Sequence, residues 1–223
     1  MKNPALRKNL GLILAVGSVW GLTEFAFGMG LQKCATLYTG AILTGIAFFW
    51  LSFVWSTNRK IVPILIIVGI AMLFKILDAL LLPVAWNHGS ILNPVFAFFT
   101  LMLGFILLSS LLRKQFSTRL LNRVLVGAGA ALVATSLFPL AKFATGSAAC
   151  LYAGTNIPLA IYTAPVAIII SMLTVPLGYM ASEWYTNRIL VNQVSGPGSL
   201  LSRLWSPAIV LCCLLIITLI RII

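Results

Sequence analysis

Seven apolar runs, each about as long as a bilayer's hydrocarbon core is thick, follow one another along this chain and dictate most of what it can become. They cover about 11–31, 36–56, 61–83, 91–112, 123–143, 158–181 and 206–222. At 1.5 Å of rise per residue, a helix of about 20 residues crosses a core of roughly 30 Å. No water is present there to satisfy backbone N–H and C=O groups, so a spanning segment closes its hydrogen bonds within itself as a helix. The runs therefore predict an all-α fold, a polytopic transmembrane helical bundle forming one integral membrane domain over residues 1–223. Seven spans are expected, or six if the short last run is tilted or peripheral. Composition agrees, with 61% hydrophobic and 8% charged residues, where soluble domains are about a quarter charged.

The cations between the runs set an orientation. Lys2, Arg7, Lys8, Arg59, Lys60, Arg113, Lys114, Arg119, Arg123, Arg188 and Arg203 fall on one side, whereas Lys33, Lys142 and Arg221 fall on the other. The side richer in Lys and Arg is the cytoplasmic one. This predicts a multi-pass protein of a bacterial inner (cytoplasmic) membrane, with its N-terminus in the cytoplasm and its C-terminus outside. The formal charge of +12 comes in short clusters suited to anionic membrane lipids, so nucleic acid is not an expected partner. The basic N-terminus superficially resembles a signal peptide, but Glu24 interrupts the apolar run and no small-x-small cleavage site follows cleanly, so the segment reads as a retained first span. Ser195-Gly196-Pro197-Gly198-Ser199 breaks any helix before the last run, and Leu200–Trp205 after it is suited to lie along the interface. Trp50, Trp55, Trp86, Trp184 and Trp205 fall at or near run ends and read as interfacial anchors.

Polar residues inside the runs mark a candidate site. In Gly17–Gly28, Gly17, Gly21 and Gly28 share one helix face, with Glu24 between the last two. Such a stripe of small residues lets another helix approach closely, and a carboxylate on it must face protein or a water-filled cavity. Lys75 and Asp78 are i and i+3 in the third run and can pair. Lys75 lies about 21 Å along that span, in the outer half. With Asn93 beside Pro94 and Lys142 near the outer end of the fifth run, these residues suggest a polar, outward-facing cavity. Its expected ligand-binding residues are Glu24, Lys75, Asp78, Asn93 and Lys142. The alternative is an ion-pair network that only fixes helix register. The run Gly127-Ala128-Gly129-Ala130-Ala131 marks a further close helix contact of structural kind.

Other chemistry is excluded by counting. Bis-histidine haem needs two His, and the chain has only His88, in an outer loop and better suited to capping than to ligation. Neither a metal-binding motif nor a phosphate loop occurs, and a serine triad would have to share that same histidine. No metal and no cofactor is expected, and no nucleophile–base pair argues for an enzyme. Of the four cysteines, Cys212 and Cys213 read as apolar filler. Cys34 and Cys150 both fall in outer loops, where an oxidising compartment permits a disulfide.

The pattern Trp20-Gly21-Leu22-Thr23-Glu24, Lys75-Ile76-Leu77-Asp78 and Asn93-Pro94 resembles that of small, uncharacterised bacterial membrane proteins. Their plan is similar to the substrate-binding S components of energy-coupling-factor vitamin transporters. The resemblance covers the first six runs. It implies a basic six-helix protein that holds a substrate near its outer face and presents small residues of its first helix to other integral membrane subunits. Gly11 and Ala15 match that docking stripe, and Gly17, Gly21 and Gly28 extend it. A seventh span and an outer C-terminus depart from that family. Two functions follow: capture of a small polar solute in concert with partner subunits, or an accessory or proton-conducting role in a larger, possibly redox, membrane complex.

Overall fold

A computed structural model describes residues 4–28, 38–81, 88–112, 120–146, 150–152, 154–187 and 200–222, with side chains from 10–27, 38–77, 88–112, 120–146, 150–152, 154–187 and 205–219. Among the described residues, seven long helices match the seven apolar runs one for one. They are α1 (Pro4–Gly28), α2 (Thr39–Asn58), α3 (Ile61–Leu81), α4 (Gly89–Leu111), α5 (Leu120–Leu137), α8 (Ala164–Tyr185) and α9 (Leu200–Ile222). The short helices α6 (Ala141–Thr145) and α7 (Leu159–Tyr162) lie between α5 and α8. The apolar parts of α1, α2, α4 and α8, and the stretch Leu120–Thr145, are each long and apolar enough to cross a membrane. Shorter apolar helical stretches, Ile61–Leu77 and Trp205–Leu219, lie in α3 and α9.

Helix and apolar run part company at three places. At the start, α1 begins at Pro4, ahead of the apolar run, because proline is accommodated in a first turn and Arg7 and Lys8 are compatible with helix. The fifth run gives way to a 3-10 turn at Phe138–Leu140, where Pro139 has no N–H for the next helical hydrogen bond. Residues Leu200–Trp205, ahead of the last apolar run, form the first turns of α9, which carries Pro207 inside it.

Packing closes six of the long helices into a ring. Its order is α1, α3, α4, α5, α8 and α2, with α2 also touching α3 and α4. The seventh, α9, packs on α1. Directions follow from paired contacts. Gly17 faces Ile70 and Gly21 faces Phe74, so α1 and α3 run parallel. Gly45 meets Ile170 while Thr57 Oγ1 and Ser182 Oγ are 2.9 Å apart, so α2 and α8 are also parallel. Gly127 against Ser171 and Arg123 bonded to Glu183 make α5 antiparallel to α8. Phe25, Phe74, Cys213 and Ile217 form a small cluster between α1, α3 and α9.

The close crossings rest on glycine. At Gly127 a Cβ would meet the backbone carbonyl of Ser171, and at Gly178 it would meet Ser52 Oγ and the carbonyl oxygen of Phe49. The structural contact expected at Gly127–Ala131 is therefore present, with Ala130 and Ala131 fully buried. Trp55 departs from its expected role: it is 6% exposed, and its ring meets Phe105 edge-on at 6.3 Å in the core. Trp184, in contrast, is 61% exposed. The outer faces carry ladders of large apolar residues: Leu103, Leu107 and Leu111 on α4, Ile169, Leu173 and Leu177 on α8, and Leu211, Leu215 and Leu219 on α9. Such continuous apolar surface marks a molecule whose outside meets something other than water.

Candidate functional site

Trp20 and Glu24 are one helical turn apart on α1, so their side chains share a face. Trp20 is wholly buried, and its ring meets Phe98 of α4 edge-on with centroids 5.5 Å apart. Its indole Nε1–H donates to Glu24 Oε1 at 3.2 Å. On α3, the contacts at Ile70 and Phe74 bring Lys75 into electrostatic interaction with Glu24. Both are buried, Glu24 at 7% and Lys75 at 6% exposure. An acid and a base from two helices thus share the interior. Sequence reasoning did not assign Trp20 this role, although the i, i+4 spacing from Glu24 carried the signal.

The other expected site residues fall differently. Asp78 belongs to α3, but its side chain lies outside the described residues. Asn93 is half-buried on α4, and its Oδ1 accepts from Thr145 Oγ1 at 3.3 Å, tying α4 to α6. Lys142 is exposed on α6. It does not share the buried environment of Glu24 and Lys75, because the break at Pro139 puts it on a separate short helix. His88 caps α4: its Nδ1 accepts from the Ser90 backbone N–H at 3.3 Å.

The small residues expected to dock a partner are largely used inside the chain. A Cβ on Gly17 would come within 2.9 Å of Ile70, and one on Gly21 would run into the Phe74 ring. Gly11 lies under Ser206 of α9, whose Oγ donates to the Gly11 carbonyl at 2.7 Å. Ala15 is buried, and Gly28 is the last residue of α1. Parallel packing of α3 and α9 against α1 occupies the stripe at Gly11, Gly17 and Gly21.

Near the start of α8, Tyr152 and Tyr162 stack with centroids 4.0 Å apart. Cys150 accepts the Leu159 N–H at 2.8 Å and is disulfide-bonded, while Cys212 and Cys213 are free. Cys34, the expected partner, lies outside the described residues.

A second polar locus, unmarked in the sequence reading, forms where α2 and α8 end and α5 begins. Arg123 bonds Glu183 at 2.7 Å and lies over the Tyr179 ring, 4.6 Å from its centroid. Arg123 and Glu183 are 60 positions apart in the chain, so only tertiary packing reveals the pair.

Fold and site together define an all-α helical bundle with apolar outer faces and, buried on two neighbouring helices, the side chains of Glu24 and Lys75. No protein-family model matches the chain, and no curated protein or solved structure matches it either.

Proposed function

We propose that this chain is a membrane-embedded binding subunit that captures a small polar or zwitterionic solute at Glu24 and Lys75 and passes it on with partner subunits. The observation that carries this reading is the burial of that acid and base, from different helices, in an interior whose other buried polar side chains, among the described residues, are the uncharged Ser, Thr and Asn. Ionisable residues within spanning segments mark solute and ion pathways, and a buried ion pair is on balance no more stabilising than well-packed apolar residues. Register alone does not require it here, since the glycine contacts with Ile70 and Phe74 already set α1 against α3. A pair offering both signs suits a solute that carries both. With the α1 stripe turned inward, partner subunits dock on another face.

In a bacterial inner membrane, the end bearing Arg59 and Arg123 faces the cytoplasm and the Glu24 end faces outside. A reporter fused after Ile223 should then be active only outside; cytoplasmic activity overturns this orientation. For the site, the purified protein is screened by thermal shift against amino acids, betaines and small amines. Glu24→Gln should retain the wild-type elution profile and weaken binding of any stabilising compound at least tenfold. A Glu24→Gln protein that responds like wild type puts the binding site elsewhere.

A further inference from the structure

At the Arg123 end, a cavity of about 340 Å³ opens between the C-terminal ends of α2 and α8, lined by Ser56, Arg59, Ser182, Glu183, Thr186 and Asn187. That volume lies within the usual range for small-ligand sites, roughly 300–1,000 Å³. We infer that it binds a phosphoethanolamine-type headgroup of a membrane lipid, with the phosphate on Arg59 and the ammonium at Glu183.

The lining offers one group of each sign. Arg59 is exposed, caps α2 in the left-handed conformation (φ 52°), and no carboxylate among the described residues pairs with it. A guanidinium presents a fork of donors that matches phosphate oxygens. Glu183 is 54% exposed, with only Oε1 taken by Arg123, so its carboxylate retains acceptor capacity. The cavity also sits at the C-terminal ends of two helices, where the backbone dipoles favour a cation. Ser56, Ser182, Thr186 and Asn187 complete a polar lining around the two charges. A purely anionic headgroup leaves the free acceptor capacity of Glu183 and the helix C-termini unused, whereas a zwitterion with N–H donors can use both.

The setting favours a lipid over a soluble compound. Beside Glu183 stands exposed Trp184, a side chain suited to the headgroup level of a bilayer. On α8, Met180, Glu183 and Trp184 share one face, and Leu177 and Met180 are half or more exposed toward the middle of the helix. An acyl chain can lie along that apolar strip while its headgroup enters the cavity.

The test is native mass spectrometry of the full chain after lipid removal, titrated with dihexanoyl phosphatidylethanolamine, phosphatidylcholine and phosphatidylglycerol and with free phosphoethanolamine. The ethanolamine lipid should bind at least tenfold tighter than the choline lipid, which has no N–H donor, and than the glycerol lipid, which has no cation. Arg59→Asn removes the guanidinium but keeps a residue that tolerates the left-handed backbone. It should weaken ethanolamine-lipid binding at least tenfold with no change in unfolding temperature. Free phosphoethanolamine binding as tightly as the lipid supports the headgroup site and assigns it to a soluble ligand. Equal binding of ethanolamine and choline lipids, or an unaffected Arg59→Asn protein, overturns the proposal.

Discussion

Gly178→Leu should prevent α2 and α8 from closing against each other and leave little monodisperse protein after extraction into detergent. The first atom added at position 178 already runs into Ser52 Oγ and the Phe49 carbonyl oxygen, with the Phe53 backbone nitrogen 3.2 Å away. Two of these three are backbone atoms of a packed helix, which a rotamer change cannot move. Overpacking costs typically about 1–3 kcal/mol where side chains can give way, so a rigid neighbour puts this substitution at or above about 3 kcal/mol. Gly69→Ala is the control, because nothing lies within 4 Å of its new methyl group. It should leave stability unchanged or raise it by up to about 1 kcal/mol through helix propensity. Fluorescence-detected size exclusion after a temperature ramp compares the two directly. Gly178→Leu protein that elutes and unfolds like wild type would mean that α2 and α8 are not in this close contact.

Much of the architecture was legible because membrane solvation writes itself into sequence at long period. An apolar run of bilayer length has essentially one way to satisfy its backbone, and all seven runs became helices. Their ends were less legible, because composition reports where apolarity stops and not where the helical hydrogen bonds stop: α1 and α9 both begin ahead of their apolar runs. The glycine stripe of α1 was visible, but its partner was not. A small-residue face advertises close approach without saying whether the approaching helix is the chain's own, and here α3 and α9 fill it. Likewise Glu24 and Lys75 were recognisable as costly residues in the wrong medium, and both are buried on the adjacent helices α1 and α3. Lys142 was expected near the outer end of its run, and beyond the break at Pro139 it stands exposed on the separate helix α6. The Arg123–Glu183 pair and the cavity beside it left no mark in local sequence, since they depend on α5 and α8 lying side by side.

Lys75→Met separates the two roles the buried pair can have. It keeps an unbranched side chain of similar length but withdraws the ammonium, leaving Glu24 with the Trp20 indole and no cation from α3. Removing one partner of a buried pair typically costs about 3–5 kcal/mol, whereas replacing both by neutral groups of similar shape is close to neutral or stabilising. Lys75→Met alone should therefore unfold at a markedly lower temperature than wild type. The double variant Glu24→Gln with Lys75→Met should recover the part of that loss that comes from leaving Glu24 without a cation. Asp78, three residues along α3 from Lys75, is left unchanged in both, so whatever it contributes is common to the comparison. The informative combination is a double variant that is stable yet no longer responds to any compound that stabilises wild type. That outcome would mean that the fold does without the two charges and that binding requires them. If the double variant is stable and still binds, Glu24 and Lys75 are a structural pair and the solute site lies elsewhere in the bundle. If Lys75→Met is as stable as wild type, the two charges do not depend on each other at all, and the electrostatic interaction drawn between α1 and α3 is wrong.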